Sequence, residues 1–332
     1  VCNHTFINLL SHNPLSLILH MIKLRRKNSK QASIQTPFDA QLPKIAKTLG
    51  LPTSKTDNAS TLMQKKAPDH NTKLATPHVI MVMMESFGSH FFIEDKNSQA
   101  LLGSLKAHFE EDHLFYRFMS DANGTAESFC ALLSNSLMIP HSNALTESPL
   151  LHKTIDSSVA KLYQEQGYTT SAIYGGKLSW RNIGQYLQSQ GFDQVIGEHD
   201  IIQALQLEPN LDTKNEWGVY DHHLMDYLHA QLSQATTPQF ICVLTTSNHP
   251  PYSMPKSFSF DNSALVHKYQ NRFMRKEETL KRFKVFQYCN DALGNFISQI
   301  KANPSLSSKC LIAATGDHPF RGYQIFDKDV FL

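Results

Sequence analysis

Several absences narrow what this 332-residue sequence can be. It contains no run of 18 or more apolar residues, so no transmembrane helix lies within it. Charged residues make up only 18%, against roughly a quarter in an average soluble protein. With 41% hydrophobic and 10% aromatic residues, a disordered or fibrous chain is excluded. The five cysteines (Cys2, Cys130, Cys242, Cys289 and Cys310) include no Cys-x-x-Cys pair, and their number is odd. A disulfide scaffold and a zinc ribbon are therefore excluded. Cys242 and Cys310 fall in apolar runs and are read as buried small hydrophobes. Net charge is only +2, which argues against a dedicated nucleic-acid binder.

The small net charge hides an asymmetry. Residues 1–75 carry eleven Lys and Arg against three Asp and Glu, whereas the remainder carries 20 against 26. Residues 1–30 read as a juxtamembrane amphipathic basic segment: an apolar run, Leu15–Leu24, leads into Lys23, Arg25, Arg26, Lys27 and Lys30. That order is the reverse of a secretory signal. Residues 31–76, rich in Ser, Thr, Asn, Pro, Gln and Lys, read as a linker with a short helical pattern near Leu42–Leu49. A catalytic domain is expected over 77–332. The chain does not begin with Met and Asp327–Leu332 carry no terminal signal, so both ends are read as truncations.

From Pro77 the pattern is that of an α/β fold. His78–Met84 is a continuous apolar run, as expected of a strand buried on both faces of a parallel sheet. Further strands are expected at Thr169–Tyr174, Gln239–Thr246 and Lys309–Thr315. Helical spacing separates them over Ala126–Ser136, Ile155–Gln166, Tyr220–Gln234 and Glu277–Lys301. Alternating strands and helices imply a mostly parallel sheet, and ligands bind beyond the carboxyl ends of such strands. Those ends carry Glu85 after the first strand, Gly175-Gly176-Lys177 after the second, His249 after the third, and Asp317-His318 after the fourth.

Glu85, Asp317 and His318 offer two carboxylates and an imidazole, a set suited to Mn²⁺ or Mg²⁺, or to Zn²⁺ through the histidine. Each taken alone is also what a salt bridge or helix cap looks like. A nucleophile candidate follows the Asn123-Gly124 turn. Thr125 stands at an expected helix start, where an ordinary N-cap threonine is the competing reading. A helix N-terminus favours an anion, and a hydroxyl beside a metal there would be activated.

Six motifs occur in order: Met84-Glu85-Ser86-Phe87, Asn123-Gly124-Thr125, Tyr174-Gly175-Gly176, Gly191-Phe192-Asp193, Ser247-Asn248-His249-Pro250-Pro251-Tyr252 and Gly316-Asp317-His318. Over residues 77–320 the chain resembles the extracytoplasmic catalytic domain of the lipoteichoic acid synthase / phosphoglycerol transferase family, a sulfatase-like branch of the alkaline phosphatase superfamily. The resemblance implies a three-layer sandwich and one divalent ion, usually Mn²⁺, held by Glu85, Thr125, Asp317 and His318. It implies Thr125 as the nucleophile and His249 as a contact to the phosphoglycerol group. Trp180 and Arg181 lie where the family places an aromatic and an arginine around the glycerol phosphate. Lys177 departs from the acidic or small residue frequent there, and would bear on the head group bound.

The activity implied is transfer of glycerophosphate from phosphatidylglycerol to a glycan or polyglycerophosphate acceptor through a phospho-threonine. The setting would be the outer face of a bacterial membrane, reached through segments missing from this chain, with no nucleic-acid partner. Three alternatives stand beside it. A phosphoethanolamine transferase or a phosphodiesterase shares the fold and the site. A true sulfatase needs Cys/Ser-x-Pro-x-Arg, and Cys130-Ala-Leu-Leu-Ser lacks the Pro and the Arg. An inactive lipid- or glycan-binding domain is opposed by four competent metal positions.

Overall fold

A computed structural model of the chain describes residues 42–48, 76–88, 96–115, 118–135, 142–260 and 262–322. The basic segment 1–30 and nearly all of the linker lie outside them. The chain divides into two compact units, 1–74 with 139–142, and 75–138 with 143–332. The first is described chiefly through one helix, α1 (Leu42–Thr48), at the place where the linker shows a helical pattern.

The second unit is built on five parallel strands: β1 (His78–Met84), β2 (Thr169–Tyr174), β3 (Gln194–Ile196), β4 (Gln239–Leu244) and β5 (Cys310–Gly316). Their order is β3-β2-β4-β1-β5. Every pairing is parallel, so all carboxyl ends share one edge of the sheet. β1 and β2 run as the sequence pattern predicts. β4 ends two residues early, because Thr245 and Thr246 turn their groups to other partners. β5 begins one residue late.

Alternation along the strands feeds two separate cores, since successive side chains point to opposite faces. On one face Ile80, Val82, Ile241 and Val243 pack against α7 (Asp221–Gln234) and α9 (Thr279–Ala302) through Leu224, Leu228, Phe283, Phe286 and Phe296. On the other, Met83, Ala172, Phe240, Cys242 and Leu244 meet α3 (Thr125–Ser134), α4 (Val159–Gln164) and α5 (Ile183–Ser189) through Phe129, Leu133, Ala160, Ile183 and Leu187. Helices on both faces of one parallel sheet make the three-layer sandwich. Burial of each large side chain contributes roughly 1.5–3 kcal/mol. The remaining α-helices are α2 (Leu105–Glu111), α6 (Glu198–Ala204) and α8 (Ser263–Tyr269).

The cysteine reading is half corrected. Cys242 is buried in β4, but Cys310 is only partly buried, because β5 has a partner on one side alone among the described strands. Among the described residues, no helix is long and apolar enough to cross a membrane.

Candidate active site

The strand register brings the predicted residues together. Met83 pairs with Leu244 and Met84 with Gly316, so the residues that follow leave the sheet side by side. The ladder continues one step on each side, with Thr245 N–H donating to the Met83 carbonyl at 3.0 Å and Asp317 N–H to the Met84 carbonyl at 3.1 Å. Gly316 has a specific reason to be glycine. A Cβ there would collide with the Phe87 carbonyl, which crosses directly over it.

Glu85, Asp317 and His318 are all buried, and one ligand atom from each lies within 4.8 Å of the others. His318 Nε2 sits 3.7 Å from Glu85 Oε1 and 3.5 Å from Asp317 Oδ2. His318 Nδ1 is 3.0 Å from the Pro319 carbonyl, which can only accept, so Nδ1 carries a proton and Nε2 is the ring nitrogen that faces the carboxylates. Asp317 Oδ1 accepts from the Ser86 N–H at 2.7 Å and from the His318 N–H at 2.6 Å. Its Oδ2 is buried and has no hydrogen-bond partner. A wholly buried carboxylate oxygen left unpaired costs free energy unless a cation satisfies it.

Glu85 shows the same demand. Burial, and then the negative charge of Asp317, push its carboxyl from 4.5 up to about 8. Its backbone is fixed by Thr245 Oγ1, which accepts from the Glu85 N–H at 3.0 Å, and by Asn248 Nδ2, which donates to the Glu85 carbonyl at 3.1 Å. Ser86, in the left-handed region at φ 51°, aims its Oγ back onto Glu85 Oε1 at 2.7 Å. Two carboxylate oxygens, one of them the unsatisfied Asp317 Oδ2, and an imidazole nitrogen in one buried cluster fit a divalent cation.

Thr125 is the first residue of α3, and its Oγ1 donates to Glu85 Oε2 at 3.0 Å. Gly124, not Thr125, holds the N-cap position, and it supplies no side-chain cap. The threonine hydroxyl is thus free of capping duty, and the positive end of α3 stands next to it. Glu85, Thr125, Tyr174, Trp180, Trp217, Thr245, Thr246 and His249 line a small cleft.

His249 reaches the cleft from the loop after β4. Its Nδ1 lies 3.0 Å from the Pro250 carbonyl and so carries the proton. Burial holds its pKa below the usual histidine value. At neutral pH it faces the cleft as an acceptor through Nε2. The Trp217 ring packs against it, tilted by 42° with ring centroids 3.6 Å apart, and the Trp217 indole N–H donates to Pro250 O at 2.7 Å.

Trp180 lines the cleft as the sequence suggests, packed against Tyr174. Arg181 does not line it. Arg181 and Asn182 both take left-handed backbone, at φ 45° and 58°, which turns the guanidinium aside. It donates to Glu127 at 3.1 and 2.8 Å and to Glu147 at 2.6 Å. Lys177 is exposed and is not among the residues lining the cleft. Cys130 is buried in α3, and burial pushes its thiol up to about 12, so it offers no thiolate.

Sequence reasoning passed over the supporting residues Trp217, Asp221, Thr245 and Asn248. Asp221 is wholly buried at the start of α7, where its Oδ1 accepts from Ser247 Oγ at 2.8 Å and from the Ser247 N–H at 3.1 Å. The one available signal was Trp217-Gly218 shortly before a helical pattern: a Cβ on Gly218 would strike the Gly175 carbonyl, so this segment must lie against the β2 exit.

Residues 77–327 match the family model described as Sulfatase. Lipoteichoic acid synthase 1 of Bacillus subtilis is 22% identical over 253 residues, 73% of this chain and 36% of that protein. A member of the alkaline phosphatase superfamily from Vibrio parahaemolyticus superposes with a TM-score of 0.62 at 23% identity, covering 78% of this chain and 57% of that one. The phosphoglycerol transferase GacH of Streptococcus pyogenes, solved in complex with sn-glycerol-1-phosphate, superposes with a TM-score of 0.52 at 16% identity, covering 79% and 66%. The chain thus spans about a third of the curated relative and little more than half of the Vibrio structure. With a match over more than half its length, on a parallel sheet whose exits gather a buried Glu-Asp-His cluster against a helix-borne threonine, the chain belongs to the sulfatase family.

Proposed function

We propose that this chain is the catalytic portion of a metal-dependent phosphoglycerol transferase, working on the extracytoplasmic face of a bacterial membrane. The observation that carries the reading is the Thr125 hydroxyl, 3.0 Å from Glu85 Oε2 and uncommitted to capping, beside the unsatisfied Asp317 oxygen. Glu85, Asp317 and His318, with Thr125, would hold the cation, Mn²⁺ in the first instance. When bound, that ion supplies Lewis acidity, which lowers the hydroxyl pKa and neutralises charge on phosphoryl oxygens.

The protein's own groups account for the remainder. Thr125 Oγ1 attacks the phosphodiester of phosphatidylglycerol while its proton leaves toward Glu85 Oε2. The Thr125 O–P bond forms, the P–O bond to diacylglycerol breaks, and the departing oxygen takes a proton from water. Trp180 and Trp217 flank the glycerol moiety as apolar walls. In the second step an acceptor hydroxyl, on a glycan or a polyglycerophosphate chain, gives its proton to His249 Nε2 and attacks phosphorus; the Thr125 O–P bond breaks, Thr125 Oγ1 takes its proton back from Glu85, and His249 releases the acceptor's proton to the hydroxide left in solvent by the first step. Arg181, held by two carboxylates, fixes α3 through Glu127 and so positions Thr125. The relatives named a lipoteichoic acid synthase and a phosphoglycerol transferase support this head group. A sulfatase reaction is disfavoured, because Cys130 is buried and lacks the modification motif.

The test is head-group release. Protein extended to its natural ends, with Mn²⁺ and mixed phosphatidylglycerol and phosphatidylethanolamine vesicles, should liberate diacylglycerol and transfer glycerophosphate. Transfer of phosphoethanolamine alone would move the assignment to that branch of the fold. Neither product, with metal bound, would overturn the transferase reading.

A further inference from the structure

The charge balance of the cleft requires a group that neither the sequence pattern nor the site described above supplies. Two carboxylates, Glu85 and Asp317, balance a divalent cation. The phosphate ester then brings negative charge of its own, and none of the eight residues lining the cleft is Lys or Arg. Arg181 is not available for it, since one guanidinium already faces the two carboxylates of Glu127 and Glu147.

Arg321 is placed to meet that need. It follows His318 by three residues, and its Nη2 donates to the Asn123 carbonyl at 2.9 Å, in the turn that delivers Thr125. The same nitrogen lies 4.0 Å from where a Cβ on Gly124 would stand. The guanidinium therefore stands at the nucleophile turn, beside the cleft and not among the residues that line it. Its base is rigid. Phe320 is buried against Phe273 and Phe286, and Arg282 Nη1 donates to the Arg321 carbonyl at 2.9 Å. Arg282 is itself bonded to Glu278 at 3.0 Å and stacked over Tyr252 at 4.7 Å. The outer end is exposed and makes no ion pair within 4.0 Å with a described carboxylate, although Glu127, already bonded to Arg181, feels its charge; most of its five N–H donors are open.

We propose that Arg321 holds the non-bridging oxygens of the substrate's phosphate group, as the cation of the site beyond the metal. A planar fork on an anchored backbone suits bidentate phosphate binding. The assignment rests on the phosphotransfer reading above, and its ligand is a glycerol phosphate ester, whether on the donor lipid or on the growing acceptor.

Binding is read by isothermal titration calorimetry, for the ester and for Mn²⁺ separately. The natural-length protein with Mn²⁺ is titrated with sn-glycerol-1-phosphate, beside Arg321→Gln, Arg321→Ala and Glu85→Gln. Arg321→Gln should weaken the ester by roughly ten- to a hundredfold, as expected for a lost charge-assisted pair, with Mn²⁺ affinity kept within about twofold. Free guanidinium should restore ester binding to Arg321→Ala, which a purely structural role would not allow. Ester affinity within about twofold of the parent would overturn the proposal. So would a parallel loss of Mn²⁺ affinity, which would assign Arg321 to holding the Asn123 turn. A parent that binds Mn²⁺ but no phosphate ester would sink the transferase reading itself. Single-turnover kinetics then locates the contact: slower formation of the Thr125 adduct places it on the donor phosphate, and slower consumption alone places it on the acceptor's.

Discussion

Removal of metal should make the protein less stable as pH rises from 6.5 to 8, and Glu85 should be the cause. With no cation present, burial and Asp317 push the Glu85 carboxyl from 4.5 up to about 8. Across this window the folded chain retains a proton on Glu85 that the unfolded chain has released. Unfolding free energy therefore falls with pH, by up to about 1.4 kcal/mol per unit for one group. Because the group is half titrated at pH 8, the window amounts to about 1.6 kcal/mol. Histidines act in the opposite direction at lower pH: His222, pushed down to about 4, and His78, His223 and His249, also lowered, stay neutral when folded. Their stabilising effect is still half incomplete at about 6.5, the ordinary histidine value, so the change due to Glu85 is read as the difference between the parent and a variant that keeps all four histidines. The assay is urea unfolding of parent and Glu85→Gln in chelator at both pH values. The parent should lose about 1.6 kcal/mol more than the variant, whose amide does not titrate. In excess Mn²⁺ the parent's slope should reverse, because metal and proton compete for the same carboxylate. Equal slopes for parent and variant without metal would refute the reasoning.

Three further outcomes follow from the same geometry. Gly316→Ala places a Cβ against the Phe87 carbonyl and should cost more than about 2 kcal/mol in thermal or chemical unfolding, with Mn²⁺ affinity reduced as Asp317 shifts. His249→Ala should lower transfer by about 10²–10³ while leaving Mn²⁺ affinity intact, as measured by steady-state assay and metal titration, because it removes only the base for the acceptor hydroxyl. Cys130→Ala should leave transfer unchanged, and no aryl-sulfate hydrolysis should depend on Cys130, since the thiol stays protonated and buried.

The strands were legible where hydrophobic burial alone determines structure. β1 and β2 run between the residues where the apolar pattern begins and ends. β4 was overread because Thr245 and Thr246 look like strand residues but spend their polar groups on the Glu85 N–H and the Val219 carbonyl. β3, three residues long at the described end of the sheet, is too short to show alternation. α4 was read as Ile155–Gln166 yet spans only Val159–Gln164, because Ser158 gives its hydroxyl to the Gln190 carbonyl and starts the helix late. The metal cluster was legible because parallel strands in one sheet must deliver their exits to one edge. What escaped was everything fixed by contacts distant in sequence. The Trp217 contact with His249 and the Asp221 clamp on Ser247 leave no local signature, and the motif that contains Asn248 does not announce its bond to the Glu85 carbonyl. The turn of Arg181 toward Glu127 and Glu147 depends on two left-handed residues that nothing in Trp180-Arg181-Asn182 announces.

The most direct test of the central claim, that Thr125 is the nucleophile of a glycerophosphate transfer, is intact mass. Protein extended to its natural ends would be incubated with Mn²⁺ and phosphatidylglycerol, quenched in acid, and weighed beside Thr125→Ala. The account predicts one glycerophosphate added to the parent, mapped to Thr125, and none on the variant with metal still bound. An adduct of equal size on Thr125→Ala, or turnover of the lipid by that variant at the parent's rate, would contradict it.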